Sequence, residues 1–155
     1  MKFKFEHSNI NNDKLLDLHL SMLKPRMIEE KMLLLLRQGR ISKWFSGIGQ
    51  EAISSAVVNV LSNDEFILPM HRNLGVFTGR KIKLSKLFSQ FQGKSNGFTN
   101  GRDRSFHFGS LKHHIVGMIS HLGPQMRVAS GIALANKIEK NNKITLVYTG
   151  EGGTS

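Results

Sequence analysis

Apolar residues recur at helical spacing along the first forty positions. Leu15, Leu16, Leu18, Met22 and Leu23 precede Pro25, and Met27, Ile28, Met32, Leu33, Leu35 and Leu36 follow it up to Gly39. Asn9, Asn11, Asn12 and Asp13 are cap-forming side chains, so the pattern predicts a loose tail over residues 1–12 and a helix starting near Asp13. Proline removes a backbone donor and crowds the preceding turn, which predicts a kink or a helix boundary near Lys24. The Leu and Met stripes are expected to be core.

Beyond the loop Trp44 to Gly49, the positions Ala52, Ile53, Ala56, Val57, Val60 and Leu61 fall on one face of a helix over Gln50 to Leu61. Ser62, Asn63 and Asp64 signal a turn, and the short apolar run Glu65 to Pro69 predicts a brief strand. A shorter helix is expected over Leu84 to Gln92, ended by Gly93. The segment Gly93 to Gly109 (GKSNGFTNGRDRSFHFG) suits no regular element and reads as a candidate binding loop. Gln125 to Lys140 predicts a helix whose Ala129, Ser130, Gly131, Ala133 and Ala135 would let another backbone approach closely. After the turn at Asn141 to Lys143, the β-branched run Ile144 to Thr149 predicts a buried parallel strand. Helix, strand and glycine loop in this order predict an α/β fold.

Composition changes this picture little. The 22 Lys and Arg against 11 Asp and Glu give a formal charge of +11, which suggests an anionic partner. The basic residues are nevertheless scattered from Lys2 to Lys143 and dense only at Arg80 to Lys86 and Arg102 to Arg104, so most read as solvated surface. There is no cysteine, which excludes thiol chemistry, disulfides and thiolate metal sites. No apolar run approaches the roughly 20 residues a membrane span needs, and the start MKFKFEHSNINND lacks a secretory apolar stretch. The expectation is a cytoplasmic protein with no membrane partner.

Gly150, Glu151, Gly152 and Gly153 directly follow the last strand, where α/β sheets bind ligands. Glycines there bring backbone amides up to a phosphate, and a carboxylate can hold a magnesium ion. Taken alone, the same four residues also fit an ordinary turn with a surface Glu. Five further blocks accompany them: RMIEEKMLLLLRQG (Arg26 to Gly39), GIGQEA (Gly47 to Ala52), His71-Arg72 with Gly75, RSFHFG (Arg104 to Gly109) and SHLGPQ (Ser120 to Gln125). In this order, from Leu23 to Ser155, the chain resembles the alpha subunit of the decarboxylating component of 2-oxo acid dehydrogenase complexes.

That resemblance implies the N-terminal part of a thiamine diphosphate-binding fold, a parallel sheet flanked by helices, over residues 13–155. Its cofactors would be thiamine diphosphate and Mg2+. His71 and Arg72 match the family's aromatic-Arg element on the cofactor, although the family more often has Tyr where His71 stands. Arg72 would offer its planar fork to the diphosphate. Ser120 and Leu122 match cofactor-lining positions, and Gly150, Glu151, Gly152 and Gly153 match the start of the thiamine diphosphate motif. Glu151 matches the metal-binding carboxylate, which is Asp in many members and Glu in some branched-chain types, a tilt toward branched-chain acids over pyruvate. His107 matches a loop histidine near the active site; it is expected to lie close by, and no residue is assigned a catalytic role. His113, His114 and His121 are expected to be structural or exposed.

The resemblance further implies that the Asn ligand completing the metal shell lies beyond Ser155, so that the chain stops inside the cofactor motif and is inactive alone. The glutamate that activates the aminopyrimidine ring would come from a beta subunit or fused beta half. A lipoyl-bearing acyltransferase component would accept the acyl group formed from the 2-oxo acid substrate, with no nucleic acid involved. Two alternatives stand beside this. One is a non-catalytic remnant of the same fold. The other is a small basic nucleic-acid-binding protein using the Arg and Phe residues of Phe98 to Phe108 for phosphate contact and base stacking.

Overall fold

The computed structural model describes residues 9–118, 120 and 122–154. Most of the expected tail, residues 1–8, lies outside the described residues, as does His121. Helix α1 (Asn12–Arg37) is capped by Asn11, whose side chain accepts from Lys14 N at 2.8 Å. It ends in a Schellman turn: Gly39 has φ +68°, its N–H donates to Leu36 O, and Arg40 N donates to Leu35 O. The expected boundary at Lys24 is absent. Pro25 sits buried inside one continuous helix, because tertiary packing on that face outweighs one lost backbone bond.

Helix α2 (Glu51–Val60) forms where the spacing places it, but its inward face is rotated, so that of the expected apolar face only Val57 and Leu61 pack on the core. Ser54 and Ser55 are buried, whereas Ile53 is 57% and Val60 84% exposed. The cause lies in α3 (Leu74–Gly79), a helix the apolar periodicity does not reveal. A Cβ on Gly75 would collide with Ser54 Oγ, and one on Gly79 with Val58 Cγ2, so small residues let the two helix backbones nearly touch. Ser55 Oγ also donates to Ser21 O of α1 at 2.9 Å.

Strand β1 (Phe66–Leu68) pairs in parallel with β2 (Thr145–Val147), with Ile67 opposite Leu146. On its other edge β1 meets Ile115, since Ile67 N donates to His114 O and Val116 N to Ile67 O, both at 2.9 Å. Strand β2 is only half-buried, not buried as expected, because among the described residues nothing pairs with its outer edge and Ile144 stands in solvent. Helices α4 (Leu84–Phe91), closed by Gly93 at φ +65°, and α5 (Pro124–Ile138) complete the α/β arrangement. Of the small residues on α5, only Ala129 is buried; a Cβ at Gly131 would meet nothing. The early part of the α1 stripe also departs from expectation, with Leu16, Leu23 and Met27 exposed while Ile28 and Met32 enter the core.

The long Gly93 to Gly109 segment is organised by one side chain. Gln90 is buried, its Oε1 accepts from Thr99 N at 3.1 Å, and its Nε2 donates to Arg104 O at 3.1 Å. Phe106 and Phe108 from this loop enter the core, and Phe98 stacks on Phe108 at 4.3 Å. No helix among the described residues is long and apolar enough to cross a membrane.

Candidate functional site

The parallel pairing of β1 and β2 brings the residues after each strand side by side. Met70, His71, Arg72 and Asn73 follow β1, and Tyr148, Thr149 and Gly150 follow β2. With Gln50 and Ile53 from the start of α2 they line one cavity of about 270 Å3. It lies where open α/β sheets take their ligands, at the carboxyl ends of the strands. Asn73 closes the first turn: its Oδ1 accepts from Met70 N at 2.9 Å, and its own N–H donates to Met70 O.

The backbone of Arg72 is set from behind. Gly47 passes so close that a Cβ there would collide with Arg72 O. That approach is held by buried Glu29, whose carboxylate accepts from Gly47 N at 3.1 Å and from Trp44 Nε1 at 2.6 Å. The Arg72 side chain itself is exposed. His71 is half-buried with its ring 4.8 Å from that of Phe45; burial first, then Arg72 and His107, hold its pKa below the usual histidine range.

The remaining predicted residues, Ser120, Leu122, Glu151, Gly152 and Gly153, do not line this cavity. Gly153 lies against the neighbouring loop: a Cβ on it would stand 2.8 Å from Thr149 Oγ1 and 3.5 Å from Leu122 Cβ, and one on Gly123 would stand 3.2 Å from Gly153 O. The Leu122 and Gly150–Gly153 loops are thus one unit. Ser120, exposed, meets His107 Nε2 at 2.6 Å. Glu151 and Gly152 begin a single 3-10 turn, Glu151–Gly153, and point to solvent. His113 meets Ser110 Oγ at 2.8 Å and the ring of His114 packs on Phe66, so both are structural as expected.

Over residues 20–155 the chain matches the family described as dehydrogenase E1 component. It belongs to that family. Among curated proteins it is similar to 2-oxoisovalerate dehydrogenase subunit alpha 1 of Arabidopsis thaliana, 34% identical over 77% of this chain and 25% of that protein. The subunit alpha of Bacillus subtilis is 32% identical over 94% of this chain and 45% of its own length. The human mitochondrial subunit alpha is 29% identical over 97% and 34%. The chain therefore spans between a quarter and a little under half of these relatives.

Dehydrogenase E1 components depend on thiamine diphosphate. The residues present suit its diphosphate: a guanidinium at the cavity and, beside it, the backbone of Gly150, which carries no side chain to block an approach. For a metal they supply less. No group of three His, Asp or Glu side chains that could hold an ion occurs among the described residues, and Glu151 offers a single carboxylate.

Two residues of the site escape sequence reasoning. Tyr148 is buried, its hydroxyl has no partner among the described residues, and burial pushes its pKa up to about 12. Gln125 is buried too; its Nε2 donates to Tyr148 O at 2.6 Å while its Oε1 has no partner among the described residues. The place of Tyr148 at the carboxyl end of a strand is a signal in the sequence, whereas the burial of its hydroxyl is not. Gln125 carries no such signal, because its partner is 23 residues away.

Proposed function

We propose that residues 13–155 form the amino-terminal part of the cofactor domain of a thiamine diphosphate-dependent 2-oxo acid dehydrogenase alpha component. The whole protein would decarboxylate a 2-oxo acid, a branched-chain one in preference to pyruvate, and pass the acyl group to a lipoyl carrier on an acyltransferase component. The observation that carries this reading is the single cavity shared by His71 and Arg72 after β1 and Gly150 after β2. The names of the relatives, 2-oxoisovalerate dehydrogenase subunits alpha, support the branched-chain preference.

In this reading Arg72 holds the diphosphate through its planar fork, in a position set by Gly47 and Glu29. The backbone of Gly150 to Gly153 would approach the same phosphates, and Glu151 would supply one carboxylate ligand to Mg2+. Leu122 gives apolar support, and Ser120 and His71 add polar contacts. Bound thiamine diphosphate supplies the carbon nucleophile and the electron sink for decarboxylation. A beta subunit or fused beta half completes the site, a role supported by the apolar faces that α2 and α5 leave uncovered. The lack of cysteine and of any membrane-crossing helix among the described residues supports a cytoplasmic setting.

The nucleic-acid alternative loses its main support. Phe106 and Phe108 are 2% and 4% exposed, so neither ring is presented to a base. The test of the main reading is calorimetric titration of thiamine diphosphate, with Mg2+, into the full-length protein and its beta part. Wild type should bind, Arg72→Ala should bind about tenfold or more weakly, as loss of a charge-assisted contact predicts, and Glu151→Ala should lose the magnesium dependence. Unchanged affinity in Arg72→Ala would remove the diphosphate contact, and a wild type that does not bind would make the protein a non-catalytic remnant.

A further inference from the structure

His107 Nε2 and Ser120 Oγ stand 2.6 Å apart, a full hydrogen bond between two loops 13 residues apart in sequence. The other ring nitrogen, Nδ1, is buried and has no partner among the described residues. Those two facts decide which tautomer is present. With the proton on Nδ1, a buried N–H would be left without an acceptor, which folded proteins almost never tolerate. With the proton on Nε2, the orphan is a bare lone pair, the milder of the two. The cationic ring would also leave Nδ1–H unsatisfied. Burial and the nearby Arg104 hold the pKa of His107 below the usual histidine range, with Asp103 opposing them only in part and Lys43 adding to them. The ring is therefore neutral and donates through Nε2.

Once Ser120 Oγ accepts from His107, its own proton points away from the ring. Ser120 is exposed and stands two residues before Leu122, which lies against Gly153 of the loop after β2. His107 and His71 line one small cleft, and His71 also lines the larger cavity, so the ring that holds Ser120 adjoins the site. We propose that His107 is a positioning residue: its Nε2–H fixes the Ser120 hydroxyl so that Ser120 O–H is presented as a donor to an acceptor atom of the bound cofactor. This rests on the thiamine diphosphate reading above.

The test uses the full-length protein with its beta part and measures thiamine diphosphate affinity by calorimetry, alongside the melting temperature. Ser120→Ala should weaken binding about tenfold, as loss of a hydrogen bond to a charged or strongly polar acceptor does. His107→Phe should weaken it equally, and the double variant should be no worse than either single one. His107→Gln, whose amide N–H reaches the Nε2 position, should recover most of the loss, whereas His107→Asn, whose amide reaches only the Nδ1 position, should not. A structural role would instead lower the melting temperature in His107→Phe and leave affinity unchanged, and that result overturns the proposal. So do additive losses in the double variant, or a Gln variant as weak as Phe. A wild type that binds no thiamine diphosphate overturns this inference together with the functional reading, whereas a binding wild type with an unaffected His107→Phe overturns this inference alone.

Discussion

Around Phe77 the aromatic rings are closed off from water, whereas along α5 and just before β2 large apolar side chains stand in it. Phe77 is 0% exposed and packs at 5.5 Å on Phe106 and 5.1 Å on Phe108; Trp44 and Phe91 close the cluster at 5.0 Å from each other. Leu134 and Ile138 are 56% and 72% exposed, and Ile144 55%. The first region draws its rings from α3, α4 and two loops, so this chain alone covers it. The second has only β1 and its neighbours on one side. A strand of half-buried residues and a helix with four exposed small residues are what a sheet looks like where further structure packs.

The largest expected effect tests the closed region. Phe77→Ala removes a fully buried ring that touches two others, and should destabilise the full-length protein by about 3–5 kcal/mol. Urea unfolding measures it, and a loss under about 1 kcal/mol would mean the cluster relaxes around the cavity. The open region gives the sharper contrast. If structure outside this chain covers α5, Ile138→Ser should cost about 1.5 kcal/mol or more in the full-length protein, as loss of a buried aliphatic side chain does. A change within about 0.5 kcal/mol would show a residue that stays in water.

The same contrast explains what the sequence made legible. Helix α1 could be read from its ends, because Asn11 and Gly39 are local signals whose meaning does not depend on distant residues. Helix α2 could be placed but not oriented. Apolar periodicity points to Ile53 and Val60, whereas contact with α3 is made through Ser54, Ser55 and Val58 against Gly75 and Gly79. Close helix packing selects small residues, and hydrophobic counting is blind to them. Helix α3 itself, with two glycines in LGVFTG, has weak intrinsic propensity and exists because it is enclosed. At the site, Gly150 was legible because it follows a strand, whereas Arg72 was legible only through the family resemblance. The His107–Ser120 bond and the buried Tyr148 hydroxyl were not, since both follow from how distant segments meet.

The smallest expected effect lies where the two regions are tied together. Asp64, before β1, faces Lys143, before β2, at 3.0 Å, and the adjacent Glu65 accepts from Ile144 N at 3.0 Å. The Ser62 hydroxyl first, then Lys143, lower the Asp64 pKa from its ordinary 3.8 to about 2. A folded-state pKa below the unfolded one stabilises the fold above the unfolded value. That contribution is complete at neutral pH and is lost as pH falls from 3.8 toward 2. Asp64→Asn should therefore lower the melting temperature slightly at pH 7, and the gap to wild type should close through that acid window and also with added salt, since the pair is exposed. A gap that persists at pH 2 would assign the loss to packing. The link between the closed and open regions would then be carried by the Glu65 to Ile144 bond and the β1–β2 ladder, with no measurable share from charge.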